Sequence, residues 1–171
     1  MRVAILIVSD RSASGEREDL AGPRLSEQIG KQGWTIVESR IIPDDIPTIK
    51  GQLESWAESG TVDLILTTGG TGFSARDVTP EATLAVVERT APGLAEAMRA
   101  RSLKKTPHAM LSRAAAGIRD TVLIVNLPGS PTGAVENLQV ILPALPHAIK
   151  TLQGDPCAEE GHVPRPKGRT A

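Results

Sequence analysis

The stretch from Asp63 to Glu81, DLILTTGGTGFSARDVTPE, constrains this chain more than any other. Its first half, 63–68, is a short apolar, β-rich run that stops at glycines, the pattern of a buried parallel strand. Gly69, Gly70, Thr71 and Gly72 follow. Three glycines in four positions let the backbone approach a ligand closely and adopt positive φ where needed. Arg76 and Asp77 come next, then Thr79-Pro80-Glu81. Thr79 suits an N-cap, Pro80 the first helical turn and Glu81 the positive helix end. A strand, a glycine loop, a charged pair and a helix start can together hold an anion on backbone N–H groups and present a carboxylate. A plain connecting turn would account for the glycines but leave the Arg76-Asp77 pair and the capped helix unexplained.

The rest of the chain alternates around this junction. Residues 3–8 and 34–42 read as strands, and 19–31, 47–58, 80–89 and 94–104 as helices. Asp19 is placed to cap the first helix, and Gly33 to end it. Residues 114–118 and 121–127 read as a β-hairpin, or as an edge strand beside a central one. Residues 132–142 form a helix with Val135, Leu138 and Leu142 inward, and 143–152 add a separate helical turn or two. Strand and helix alternating in this way predict an α/β fold, a parallel sheet with helices on both faces. Ligands bind such sheets beyond the carboxyl ends of the strands. Three predicted loops lie there: 9–15, 43–45 and 69–77.

Composition narrows the function. The net charge of -1 gives no general cause for nucleic-acid or membrane attraction, and 2% aromatics leave little for a base-stacking platform. One cysteine, Cys157, allows neither an internal disulfide nor a thiolate zinc cluster. The N-terminal apolar run meets Asp10 too early for a signal sequence or a membrane span, so the expected location is cytoplasmic. G-x-G-x-x-G is missing after the first strand, no lysine follows the glycines as a P-loop requires, and there is no G-x-S-x-G.

Two carboxylates remain. Asp44 and Asp77 each follow a predicted strand by a few residues and can converge at one sheet edge. Carboxylates beside a phosphate-binding loop suit Mg²⁺, which takes hard oxygen ligands and bridges phosphates. Asp44 could instead share a helix cap with Asp45, and Asp77 could form a local salt bridge to Arg76.

TTGGTG followed by RDVTPEAT, with LPGSP downstream and SDRSASGE near the start, resembles the molybdopterin adenylyltransferase family of molybdenum cofactor biosynthesis, the MogA/MoaB type. The resemblance runs from residue 2 to about 154. It implies a three-layer α/β/α sandwich with a mostly parallel sheet over residues 1–154, leaving 155–171 as a flexible C-terminal tail. It implies a homotrimer that moves AMP from ATP to the terminal phosphate of molybdopterin with Mg²⁺, releases pyrophosphate, and hands its product to a separate insertase. The family's two essential aspartates match Asp44 and Asp77, as catalytic residues and metal ligands. Its ligand loop matches Thr68, Gly69, Gly70, Thr71, Gly72 and Arg76. Ser9, Asp10, Ser14 and Gly15 match the loop near the nucleotide. Ser102, Ser112 and Arg113 match positions on the pterin side, and Pro128, Gly129 and Ser130 the last loop. Arg113 would balance substrate charge, together with basic neighbours on the 99–105 segment. A non-catalytic molybdopterin-binding or delivery protein could share this scaffold, but it would not need the aspartate pair.

Overall fold

The structure, a computed structural model, describes residues 1–156 and 158. Its elements run β1 Arg2–Val8, α1 Asp10–Ala13, α2 Ala21–Lys31, β2 Thr35–Ile42, α3 Ile46–Glu58 and β3 Leu64–Thr68. They continue with α4 Thr79–Leu84, β4 Arg89–Thr90, α5 Pro92–Leu103, a 3-10 turn Pro107–Leu111, β5 Ala116–Arg119, β6 Val122–Leu127, α6 Pro131–Ile141 and α7 Leu145–Leu152. The sheet order is β2-β1-β3-β6-β5-β4. The first four strands in that order are parallel, and β5 and β4 add antiparallel pairings.

Period-2 alternation sends successive side chains of a strand to opposite faces, and here both faces are apolar. Val3, Ile5 and Ile7 of β1, with Leu64 and Leu66 of β3, pack against Leu25 and Ile29 of α2 and Leu138 of α6. Ala4, Leu6 and Val8, with Ile65 of β3, pack on the other side against Ile49, Leu53 and Trp56 of α3. This is the expected three-layer α/β/α sandwich with a mostly parallel sheet. Each fully buried Leu or Ile contributes about 1.5–3 kcal/mol. With so few aromatics in the chain, the core is mostly aliphatic.

Several local expectations change. The polar loop after β1 winds into the single turn α1, because Ser9 Oγ accepts from Ser12 N at 3.2 Å. The helix foreseen over 80–89 stops at Leu84. Beyond it the backbone goes to the free edge of β5 instead: Glu88 N donates to Ile118 O at 2.9 Å and Ala91 N to Ala116 O at 2.8 Å. Gly117 permits that approach, since a Cβ there would meet Val87 and Arg89 O at 2.7 and 2.8 Å. The buried face of α6 is Ala134, Asn137, Leu138 and Ile141, rotated from the expected Val135, Leu138 and Leu142. The hairpin forms as β5–β6, and Asp120 takes a left-handed φ of 50° in its turn.

Asp155 N donates to Lys150 O at 3.0 Å, and Ala158 is buried. Cys157 and 159–171, the greater part of the expected tail, lie outside the described residues. Among the described residues no helix is long and apolar enough to cross a membrane.

Candidate active site

The parallel strands end level with one another. Val8 pairs with Ile42, Ile7 with Thr68, and Thr68 with Leu127. Four loops therefore leave the same edge side by side, where a doubly wound sheet binds its ligands.

The first two loops interlock. Asp10 N donates to Asp44 Oδ2 at 2.8 Å, and Asp44 N donates to Asp10 Oδ1 at 3.0 Å. Asp45 alone caps α3, accepting from Thr48 N at 3.0 Å, so Asp44 is not a shared cap. The third loop is the glycine junction, where Gly69 and Gly70 take φ of 105° and 60°. A Cβ at Gly69 would run into Val8 O, and one at Gly70 would meet Thr79 Oγ1 and, at 2.9 Å, Asp44 Oδ1. Glycine here is what lets the junction pass so close to the first two loops. In the fourth loop Gly129 stacks on it: a Cβ there would come within 3.1 Å of Gly69 Cα. Thr68 Oγ1 donates to Pro128 O at 2.7 Å, tying the third loop to the fourth.

Thr79 does not cap α4. It is the first helical residue, after Val78, and its Oγ1 donates to Gly69 O at 2.9 Å while its N donates to Gly70 O at 3.0 Å. The helix is thus fastened back onto the glycine loop. Asp77 Oδ2 accepts from Ser74 N at 2.8 Å. Arg76 makes its ion pair across the loops, with Nε and Nη2 each 2.9 Å from an Asp10 carboxylate oxygen, in place of a local bridge to Asp77.

These loops border two cavities. One, of about 750 Å³, is lined by Ser9, Asp44, Thr68, Gly69, Gly70, Asp77 and Gly129. The other, of about 460 Å³, is lined by Thr71, Gly72, Ser102, Ser112 and Pro128. Ser130 lines both and caps α6, accepting from Gly133 N at 3.1 Å. Asp10, Ser14, Gly15, Arg76 and Arg113 line neither. Ser14 and Gly15 close α1: Ser14 Oγ donates to Arg11 O at 3.2 Å, and Gly15 takes a φ of 80°.

Some lining residues escaped the sequence reading. Arg17, Glu18 and Leu20 border the larger cavity from the approach to α2, where no motif marks them. Asp19 borders it too; it is not the N-cap of α2, which is Leu20, but from one residue earlier its carboxylate accepts from Ala21 N at 2.8 Å. Asn137 borders the smaller cavity, 3.2 Å from Ser102 Oγ. A polar residue beside Leu138 on an otherwise apolar helix face was a usable signal for it.

Electrostatics separate the carboxylates. Burial pushes the Asp44 carboxyl up, and the charges of Asp10 and Asp77 add to this against the pull of Asp10 N–H. Asp10 is held below the usual carboxylate range, first by the Arg76 guanidinium and then by Asp44 N–H. Negative charge is therefore balanced at Asp10, which lies off the larger cavity, and left in excess on the cavity wall around Asp44 and Asp77.

Comparisons with known proteins bear on the family of the chain. The family described as "Probable molybdopterin binding domain" matches residues 4–147. Molybdopterin adenylyltransferase of Helicobacter pylori strain J99 is 39% identical, over 91% of this chain and 89% of its own length. The protein of that name from Escherichia coli K12 is 39% identical, over 90% and 86%. Gephyrin of Dictyostelium discoideum is 43% identical over 90% of this chain, but the chain spans only 23% of it. Among solved structures, the molybdopterin biosynthesis enzyme MoaB from Thermus thermophilus superposes with a TM-score of 0.86 at 48% identity, over 91% of this chain and 98% of that one. A match that runs from the first strand into the last helix, with relatives alike over most of their own length, means that this chain belongs to the family of molybdopterin binding domains.

Proposed function

We infer that this chain is an enzyme of molybdenum cofactor biosynthesis, a molybdopterin adenylyltransferase. The observation that carries the reading is the convergence of Asp44 and Asp77, from two separate loops, on one cavity beside the glycine junction. A pterin carrier has no use for that pair.

The reaction moves AMP from ATP to the terminal phosphate of molybdopterin. An oxygen of that phosphate forms a bond to the α-phosphorus of ATP, the bond to the bridging α–β oxygen breaks, and pyrophosphate leaves. The nucleophile is already anionic, so no strong base is required. Positioning and charge neutralisation carry the rate. Gly69, Gly70 and Gly129 bring bare backbone to the cavity wall, and Ser130 stands where the two cavities meet.

Mg²⁺ fits the donors present. Among the described residues no cluster of three or more metal-binding side chains exists. Mg²⁺ characteristically needs only one or two carboxylates when substrate phosphates complete its shell. Asp44 and Asp77 would hold it, and the excess negative charge around Asp44 is what a cation relieves. When bound, it supplies charge neutralisation for the ATP phosphates. The same reading takes the protein as a cytoplasmic homotrimer whose product passes to a molybdenum insertase.

Incubation with molybdopterin, ATP and Mg²⁺ tests this. Adenylylated pterin and pyrophosphate should appear in equal amounts. Pterin binding without product at high enzyme concentration would instead mark a carrier.

A further inference from the structure

Arg113 grips the strap that carries Asp77 at several points. Its backbone N donates to Thr71 O at 2.9 Å, and its Nε donates to Gly72 O at 2.7 Å. Its Nη2 donates to the carbonyl oxygen of Asp77, and its Nη1 pairs with Glu81 in the first turn of α4. All three guanidinium nitrogens are thus engaged by the segment 72–81. The planar fork fixes the directions of these bonds, which an ammonium would not. Behind Arg113 the chain is anchored in turn. Arg99 Nη1 donates to Ser112 O at 3.3 Å and to Ala114 O at 2.9 Å.

Asp77 has few anchors of its own. Its carboxylate accepts from Ser74 N, its N donates to Ser74 O, and both bonds stay within an exposed turn. Phe73, in the same turn, is 68% exposed and packs little. Two side chains tie this turn to the body of the fold, Arg76 through Asp10 and Arg113 through the Asp77 carbonyl, and the second acts on the backbone of Asp77 itself. Arg113 borders neither of the two cavities; it lines a third, of about 380 Å³, together with Phe73, Ser74, Asp77 and Glu81, and its three guanidinium nitrogens are already engaged there by protein.

We propose that Arg113 is a positioning residue: it sets the direction of Asp77 from behind the cavity wall, with Glu81 holding the guanidinium in plane. The proposal rests on the adenylyltransferase reading of the site. It turns the fork of Arg113 toward the strap that carries Asp77, where a substrate-binding role would turn it toward a phosphate and show in KM.

Arg113→Lys keeps the charge and loses the fork, and the split between kcat and KM separates the two roles. Outer-shell partners of metal ligands typically cost 10–100-fold when replaced. For Arg113→Lys, kcat should fall by about that factor with KM for ATP and molybdopterin unchanged, the signature of lost transition-state positioning. Backbone amides 72–78 should exchange hydrogen faster, while β1, β3 and β6 keep their protection. Glu81→Gln should give a smaller loss of kcat with the same pattern, and it carries the test if a melting curve shows Arg113→Lys unfolded. Wild-type kcat in Arg113→Lys, or a raised KM at unchanged kcat, would overturn the proposal. If the wild-type protein makes no adenylylated pterin, the functional reading fails. Hydrogen exchange then decides the positioning alone, and unchanged exchange at 72–78 rejects it.

Discussion

Asp44 and Asp77 reach the same cavity by different means. Asp44 is locked to Asp10 by reciprocal bonds, each carboxylate accepting from the other residue's backbone N–H, whereas Asp77 sits in an exposed turn held by Ser74 and Arg113. Replacing Asp77 by Asn keeps its size and an acceptor oxygen for Ser74 N, and removes the charge. Turnover in the adenylylation assay should drop by two orders of magnitude or more, roughly the several kcal/mol that a metal-assisted charge contributes. Urea unfolding should shift by less than about 1 kcal/mol. Unchanged turnover would remove Asp77 from the mechanism. Gly69 makes the opposite contrast. Its φ of 105° is closed to L side chains, and a Cβ would collide with Val8 O. Gly69→Ala should cost about 2–5 kcal/mol in urea unfolding, strain and overpacking together. Its three-in-four glycine spacing pointed to close backbone approach, but what it approaches was not legible. Val8 lies some sixty residues away in the chain, and only strand pairing brings it there.

At the scale of elements, the long periodic segments were the readable ones. α2 and α3 carry apolar residues at helical spacing and end in local signals. Gly33, at φ 69°, closes α2 with its N bonded to Gly30 O at 2.9 Å and Trp34 N to Ile29 O at 3.3 Å. The short elements were not readable. α4 was expected to run to 89, yet β5 captures its last residues as β4, because a free strand edge offers backbone partners that local propensity does not see. The far edge of the sheet is pinned in a similar long-range way. Asp63, buried at the start of β3, accepts from Arg2 N and Arg2 Nη2, both at 2.7 Å, and from Gln153 Nε2 at 3.1 Å. Burial pushes its carboxyl up, but the Arg2 bonds and charge together outweigh that and hold it below the usual range. A depressed folded value means that this contribution is complete above the unfolded value of about 3.9 and is lost as pH falls through the folded one. Asp63→Asn should therefore destabilise by about 1–3 kcal/mol at pH 7, and by progressively less below pH 4. Urea unfolding from pH 7 to 3 measures it, and a pH-independent difference would refute the linkage.

For the whole molecule, one sheet edge gathers the candidate site. The four parallel strands deliver their loops to it, the two cavities share Ser130, and both faces of the sheet are covered by helices. The family resemblance implies a homotrimer. Sedimentation equilibrium should then return three times the 18.0 kDa chain mass, and the mass of a single chain would reject it. By itself the sequence determined the fold class and pointed to the edge and the aspartate pair of the candidate site, because strand alternation, glycine spacing and family motifs are written in local order. Tertiary structure alone decided that Arg76 pairs with Asp10, that Thr79 fastens α4 to the glycine loop it was expected only to follow, and that Arg113 faces the back of Asp77. Partners such as these, Asp10 and Arg76 or Arg113 and Gly72, stand dozens of residues apart. The junction that constrained the chain most strongly from its residues alone is thus aimed by side chains far before and after it, Asp10 and Arg113, and no local pattern could show them.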